Sequence, residues 1–317
     1  MATAGPDRVP DSAGPSAPPG VDIVREFPDA CWEGDGPTHS VEAVVESGFV
    51  LSFPRLPFVL HDGEHRFLDE RWADPAAKNI SVRWPGGALR GAVGDAADLA
   101  ALRALVVRYA EQAEAFALRL FPHYAGHLQR GNTSLRPAEI AGRTISWRKD
   151  DTRLHVDAFP SNPMRGTRLL RVFCNVNPHG EPRRWRVGEA FEAHARRYLP
   201  SITPPLPGTA WLLHALRITK RRRTEYDHLM LRLHDKAKAD AAFQRHSPQA
   251  HVDFAPGTTW VVFSDQVLHA AMGGRHMLEQ TFQLPPAGLR HPETSPLAVL
   301  ERLTGRRLTD VATTPSA

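Results

Sequence analysis

The 317-residue sequence predicts an α+β protein with a mainly β core, built as an antiparallel sandwich or barrel. From residue 143 onward, short apolar runs with two-residue alternation are separated by Pro and Gly, which is typical of strands joined by turns. Residues 95–121 instead carry apolar side chains at helical spacing, with Asp near the start, and predict a long amphipathic helix that packs on a sheet. At 42% apolar and 23% charged residues, the composition suits a packed globular core.

The chain is expected to form one domain with a tail at each end. Residues 1–20 are rich in Pro, Ala and Gly and are predicted to be a disordered tail. The other expected parts are the domain over 21–290, its supporting region over 21–142, its core over 143–290, a mostly helical insert at about 187–246, and a C-terminal tail over 291–317.

Charge and cysteine content place only weak limits on the functional class of the protein. The formal net charge of +4 suits an anionic partner without naming one. Cys31 and Cys174 are far apart and form neither a disulfide framework nor a zinc spacing, which favours a reducing compartment. No stretch approaches the roughly 18 consecutive apolar residues of a spanning helix, and the N-terminus lacks the apolar centre of a secretory signal.

Two His-Val-Asp stretches, at 155–157 and 251–253, are candidates for a metal site. On a strand, residues i and i+2 point to the same face, so one imidazole and one carboxylate would project together. A second histidine would complete two imidazoles and one carboxylate, the ligand set of non-haem Fe(II) oxygenases. His269, at the end of the apolar run WVVFSDQVLH, is the candidate third ligand.

The surrounding sequence favours the first stretch. His251 and Asp253 lie shortly before APGTTW, a predicted tight turn into the His269 strand. This pair is therefore expected at the end of a strand in a hairpin, where it would pack or face solvent. His155 and Asp157 lie far enough from His269 in sequence to reach it from another strand.

With these residues in place, the chain resembles the Fe(II)/2-oxoglutarate-dependent dioxygenases, and within them the family of 3-deoxy-D-manno-oct-2-ulosonic acid (Kdo) 3-hydroxylases. The likeness runs over roughly residues 40–285. The strings that carry it are RWADPAAKNIS, SWRKDDTRLHVDAFPSNPMRGTRLLRVFCNVNP, PRRWRVGEAFE and SDQVLHAAMGGRHMLEQTFQLP. The ligand triad is specific only to the superfamily, whereas the longer strings indicate the family.

The resemblance implies a double-stranded β-helix (jelly roll) of eight core strands, buttressed by the N-terminal helical region. It implies hydroxylation of Kdo at its 3-position in the lipopolysaccharide inner core or lipid A, giving the Ko sugar. His155, Asp157 and His269 would hold Fe(II), with 2-oxoglutarate and O2 as cosubstrates and ascorbate as a reductant in vitro. The implied location is the cytoplasm, with peripheral contact at the inner face of the inner membrane as an option.

The distal carboxylate of 2-oxoglutarate needs a cation, for which two arginines compete. In much of the superfamily this cation follows the distal histidine by about ten or more residues, but Arg275 lies only six residues after His269, in a predicted turn. Arg171 lies on the strand after the ligand strand and shares a face with Phe173 and Asn175 by alternation. We favour Arg171 slightly, with Gln280 and Thr281 as helpers. The simpler roles are an internal salt bridge for Arg171 and a solvated turn residue for Arg275.

The expected substrate is an anionic sugar acid on a phosphorylated lipid. Candidate contacts are polar, cationic or aromatic side chains near the predicted mouth of the site: Trp147, Arg148, Lys149, Asn175, Asn177 and Arg184. A surface role is an equal alternative for each of them. The basic run over 217–223, placed in the helical insert, could dock on anionic lipid head groups or form a solvated helix face.

Two other functions fit parts of the sequence. One is a 2-oxoglutarate dioxygenase that acts on a protein side chain or a small acid. The other is a non-catalytic cupin-like protein that binds a sugar or lipid, which would require a broken iron site. The intact triad favours an enzyme, and no nucleic-acid partner is expected.

Overall fold

The computed structural model describes residues 21–28, 30–33, 41–138 and 146–309. The tail predicted at residues 1–20 and the last residues of the C-terminal tail lie outside these ranges. Every element below belongs to the described residues.

An eight-stranded sheet forms the larger layer. In spatial order its strands are β1 (Val24–Glu26), β2 (Val50–Phe53), β9 (Thr259–Phe263), β6 (Arg168–Asn175), β11 (Met277–Leu284), β5 (Gln129–Arg136), β3 (Ile80–Arg83) and β4 (Ala88–Arg90). Only the β1–β2 pair is parallel. This sheet supplies the wall against which the site is built.

A smaller antiparallel sheet faces its central strands. It contains β10 (His269–Gly273), β7 (Arg183–Gly188) and β8 (Gln249–Phe254), and a single bridge between His155 and His269 extends it by one chain segment. Aromatic side chains from both sheets, including Phe173 and Trp185, pack between the layers. The sheet orders β9-β6-β11-β5 and 155-β10-β7-β8 form a double-stranded β-helix, which confirms the expected fold class.

Helix α2 (Ala96–Leu120) supports the outer face of the large sheet, as its apolar spacing predicts. Asp95 caps it by accepting a hydrogen bond from the Asp98 backbone N–H at 2.8 Å. The Tyr109 hydroxyl donates to the carbonyl of Val172, at 3.0 Å, and fixes the helix to β6. A short helix α1 (Glu42–Glu46) precedes β2.

The insert after β7 is helical, as expected, and packs on the outer face of the small sheet. It contains α3 (Phe191–Tyr198), α4 (Thr209–Ala215), α5 (Glu225–Ala239) and α6 (Ala241–His246). The basic run over 217–223 is not part of a helix: it lies between α4 and α5. Residues assigned to the C-terminal tail form α7 (Pro296–Thr304), which buries Leu297 and Leu300 in the same cluster.

Short 3-10 turns connect several of these elements. They are His65–Leu68, Glu70–Trp72, Pro122–Tyr124, Trp147–Lys149, Leu199–Ser201, Pro286–Gly288 and Pro292–Thr294. Among the described helices, none combines the length and the apolarity that crossing a membrane requires.

Three local predictions differ from the structure. The stretch around His155 makes one bridge rather than a regular strand, although Leu154 and Val156 still point to the helices while His155 points between the sheets. His269 begins β10 instead of ending β9, because residues 264–266 turn the chain from one sheet to the other. For the same reason β8 and β9 form no hairpin: β8 pairs with β7, and β9 pairs with β2 and β6.

Candidate active site

Two imidazoles and one carboxylate meet where the two sheets open. Ligand atoms of His155, Asp157 and His269 all lie within 4.8 Å of one another. Their positions follow from the backbone, because the His155–His269 bridge ties the first ligand segment to the first residue of β10. The second pair, His251 and Asp253, is exposed on β8 and takes no part in this cluster.

Backbone carbonyls orient both imidazoles. Nδ1 of His155 lies 2.7 Å from the carbonyl oxygen of Arg153, and Nδ1 of His269 lies 2.9 Å from that of Val267. A carbonyl can only accept, so each Nδ1 carries the proton and each Nε2 keeps a lone pair for the cluster. Trp185 stacks on the His269 ring, with centroids 5.1 Å apart. This donor set fits a divalent iron centre, since ligating histidines commonly donate their second N–H in this manner.

The charge states also suit metal binding. Burial lowers the pKa of His269 to about 4, so the ring is neutral at neutral pH. Burial raises the pKa of Asp157, but the positive charge of Arg171 opposes this effect, and the pKa of Asp157 lies well below its usual range. The cluster thus offers a neutral imidazole and an ionised carboxylate, the forms that bind metals.

Arg171 lies beside the cluster in a buried ion network. Its Nη2 is 2.7 Å from Oδ2 of Asp157, and its Nη1 donates to Oε1 of Glu279 at 2.5 Å. Glu279 also accepts a hydrogen bond from Arg136. An arginine in the middle of an apolar strand requires such partners, because an unpaired buried charge is costly.

The cluster lines a cavity of about 570 Å³. Seven cationic side chains contribute to its wall, against two carboxylates, Asp151 and Asp157. The cations are Lys78, Arg136, Arg148, Lys149, Arg171, Arg183 and Lys238. Phe173, Trp185 and Met277 supply an apolar inner surface. A cavity of this kind favours an anionic ligand with a polar outer part.

Of the two arginines predicted to bind 2-oxoglutarate, the structure places one in the cavity wall and the other outside it. Arg171 lies in the cavity wall, where alternation along β6 places it. Arg275 lies outside the cavity, near Glu70 (3.6 Å) and Glu181 (3.9 Å), because the turn between β10 and β11 directs it to a separate surface cleft.

The two predicted helpers on β11 are also outside the cavity wall. Gln280 shares the face of β11 that holds Leu278 and Phe282, and its side chain accepts a hydrogen bond from Thr133 at 2.5 Å. Thr281 donates to Oε1 of Glu279 at 3.2 Å. Thr281 therefore touches the buried ion network, whereas Gln280 belongs to the opposite side of the sheet.

The predicted substrate residues divide in the same way. Arg148 and Lys149 line the cavity, and Trp147 supports Arg148, whose guanidinium carbon is 4.2 Å from the ring centroid. Asn175 and Asn177 lie outside the cavity wall and organise the loop after β6. Asn175 donates to the Phe254 carbonyl at 2.9 Å, and Asn177 accepts from the His179 backbone at 2.7 Å.

Arg184 is exposed on the outer face of the small sheet, while its neighbour Arg183 points inward. The difference follows from strand alternation, which the prediction did not apply to this position.

Several cavity residues were missed by sequence reasoning. His234 and Lys238 are buried on α5, one helical turn apart, and His234 packs against the His155 ring with centroids 5.3 Å apart. Both fall on the otherwise apolar face of that helix, and this is a signal that could have identified them. Lys78 lies within the family-like string RWADPAAKNIS, but no role was assigned to it, and Arg136 had no local signal.

The fold and the cluster define a metal-dependent oxygenase of the double-stranded β-helix class. A family model described as 3-deoxy-D-manno-oct-2-ulosonic acid (Kdo) hydroxylase matches residues 33–307, and the chain belongs to this family. It is thus an Fe(II)/2-oxoglutarate-dependent dioxygenase, as the resemblance implied. A comparison with curated proteins gave no match.

Solved structures of a Kdo hydroxylase, KdoO, described as a non-heme Fe(II) α-ketoglutarate-dependent dioxygenase, are similar over 93% of this chain and 100% of theirs. The cobalt(II) complex is 47% identical with a TM-score of 0.89. The complex with α-ketoglutarate and Fe(III) is 46% identical with a TM-score of 0.88.

Proposed function

We propose that this chain hydroxylates the 3-position of Kdo carried on lipid A or a related anionic glycolipid. The observation that carries the proposal is the His155–Asp157–His269 cluster within a cavity whose wall is strongly cationic. A sugar acid attached to a phosphorylated lipid matches this wall in charge. Family membership indicates the type of reaction, and the cationic wall of the cavity favours an anionic acceptor.

In this proposal His155 and His269 bind Fe(II) through Nε2, and Asp157 binds through a carboxylate oxygen. When bound, the iron with 2-oxoglutarate and O2 supplies the oxidising chemistry that converts a C–H bond into C–OH. The backbone carbonyls behind the two rings hold them in the required tautomer. Ascorbate would serve as the reductant in an assay.

Arg171 and Arg183 are the proposed recognition groups for 2-oxoglutarate. Arg171 lies directly beside Asp157 and is held in place by Glu279, so its guanidinium is preorganised near the metal ligands. Arg183 is buried on the inner face of β7, where its Nη1 donates to the carbonyl of Gly274. A planar guanidinium suits a carboxylate better than a lysine does, because two parallel hydrogen bonds can form.

Cations near the outer part of the cavity are proposed to contact the acceptor. Lys149 is exposed and Arg148 is held by Asp235 at 3.3 Å, so both present positive charge at the mouth. Lys78 pairs with Asp151 on the same wall. These side chains would position the carboxylate of the sugar and the phosphates of its lipid carrier.

A turnover assay tests this function. The purified protein is incubated with Kdo-bearing lipid A, Fe(II), ascorbate and labelled 2-oxoglutarate, and both succinate release and the mass of the sugar are measured. We expect succinate release coupled to the gain of one oxygen atom on Kdo, abolished in His155→Ala and retained in His251→Ala. Both variants remove a histidine from a His-Val-Asp stretch, but only the first belongs to the cluster.

Other outcomes separate the alternatives. Succinate release without oxygen gain on Kdo, combined with turnover on a protein or small-acid acceptor, would assign a different substrate. Failure to bind iron would leave only a cupin-like binding protein and would contradict the proposal.

A further inference from the structure

An exposed segment beside the cavity combines apolar and cationic side chains. Five of the eight large apolar side chains that are exposed in the described part of the chain lie within residues 206–218: Leu206, Trp211, Leu212, Leu216 and Ile218. Trp211 is 60% exposed and Leu216 is 61% exposed. Single exposed apolar residues are common, but a concentration of this kind marks an interaction surface.

Basic residues overlap the end of this apolar group and continue past it. They are Arg217, Lys220, Arg221, Arg222 and Arg223. The sequence has no Asp or Glu between residues 193 and 224, so the segment carries charge of one sign only. Among the described residues, no carboxylate forms an ion pair with the exposed cations at 217 and 220–222. We call residues 206–223 the docking segment.

The docking segment is attached to the lip of the cavity. The backbone N–H of Lys220 donates to the carbonyl of Ser161 at 2.9 Å, and the Arg223 guanidinium donates to that of Pro160. The loop over 158–161 follows the ligand Asp157 directly, and its Phe159 is 37% exposed and lines the cavity. A surface bound by the docking segment would therefore lie next to the mouth of the site.

We propose that the docking segment binds the surface of an anionic lipid bilayer, with its apolar side chains in the interface and its cations among the head groups. Charge complementarity favours this occupant, since protruding Trp and Leu flanked by Lys and Arg are typical of interfacial helices. The inference deepens the proposed function: a sugar acid on a lipid carrier is reached from the membrane surface, and the segment would place the cavity there.

Vesicle co-sedimentation of the full chain tests the inference. The probe is phosphatidylcholine vesicles with about one-third phosphatidylglycerol, compared with pure phosphatidylcholine. We expect binding to the anionic vesicles only, weakened about tenfold or more in Lys220→Gln/Arg221→Gln. The matched control is Arg83→Gln/Arg90→Gln, which removes the same charge from exposed positions elsewhere and should leave binding within about twofold.

A second pair of variants tests the apolar contribution. Leu212→Ser/Leu216→Ser should lose most of the vesicle binding, whereas Val59→Ser/Val93→Ser, at other exposed apolar positions, should retain it. Because all four positions are exposed, the substitutions should leave the core intact. Circular dichroism verifies that each variant is folded.

Equal binding to neutral vesicles, no binding at all, or binding that survives both docking-segment variants would overturn the inference. Self-association that the same variants abolish, without vesicle binding, would assign the segment to a second copy of the chain and also overturn it. Binding needs no turnover, so this result is independent of the Kdo assay. Hydroxylation of detergent-dispersed substrate without vesicle binding would refute the docking segment alone.

Discussion

Nη2 of Arg171 lies 2.7 Å from Oδ2 of Asp157, while Nη1 of the same guanidinium lies 2.5 Å from Oε1 of Glu279. A cation is thus held directly behind one proposed iron ligand by a second, buried carboxylate. This arrangement keeps Asp157 ionised and presents a fixed positive group to a ligand that enters the cavity. Three predictions follow from this site, and a fourth concerns a buried histidine in the helical insert.

Replacing Arg171 should damage 2-oxoglutarate binding. Arg171→Met removes a charge-assisted contact of about 1.5–3 kcal/mol, so the KM for 2-oxoglutarate should rise about 10- to 100-fold. Arg275→Met, at the competing candidate, should change this KM less than about twofold, because exposed ion pairs contribute little. Steady-state kinetics with varied 2-oxoglutarate measures both. A large rise in this KM for Arg275→Met and a small one for Arg171→Met would assign 2-oxoglutarate binding to the surface cleft near Arg275.

Loss of one metal ligand should abolish tight metal binding. Asp157→Ala should weaken Co(II) affinity by more than the roughly 10- to 100-fold that removing a supporting residue behind a ligand typically causes. Asp253→Ala, in the exposed His-Val-Asp stretch, should bind Co(II) as the parent chain does. Isothermal titration of the metal-free protein provides the measurement. Comparable losses in both variants would show that the cluster is not the metal site.

The acceptor should respond to charge at the cavity mouth. Lys149→Gln removes an exposed cavity cation and should raise the KM for Kdo-bearing lipid about 2- to 5-fold, with a smaller effect at high salt because exposed charges are screened. Arg184→Gln serves as the control, since Arg184 is exposed on the outer face of the small sheet. If Lys149→Gln and Arg184→Gln raise the KM for Kdo-bearing lipid equally, charge acts over the whole surface instead of within the cavity.

Local sequence signals predicted the supporting helix and the three residues, His155, Asp157 and His269, that form the cluster. Asp95 and the apolar spacing after it define α2 by themselves, because capping and periodicity act within a few turns. Alternation placed Arg171 and Val172 on opposite faces of β6, and in the structure Arg171 lines the cavity while Val172 is buried in the core on the other face. Applied to β7, the same rule places Arg183 and Arg184 on opposite faces of the small sheet, with Arg183 toward the cavity.

Features that depend on how sheets exchange strands were not accessible from local patterns. A turn such as APGTTW marks a change of direction, but it does not specify whether the next strand joins the same sheet or the facing one. The hairpin expected between β8 and β9 was wrong for this reason. Gln280 shows the related problem: on a strand, a shift of one residue moves a side chain to the opposite face.

A buried histidine in the helical insert should make stability depend on pH. His194 is fully buried between Tyr198 and Phe243, and burial, with a smaller effect of Arg197, lowers its pKa to about 3. Its unfolded pKa is about 6.5, so the unfolded chain binds more protons between these values, and stability should fall as the pH drops from about 6.5 toward 3. Urea unfolding of His194→Phe at several pH values should show a shallower decline than the parent chain, while exposed His251→Gln should not change it. An unchanged slope in His194→Phe would mean that other groups cause the acid sensitivity.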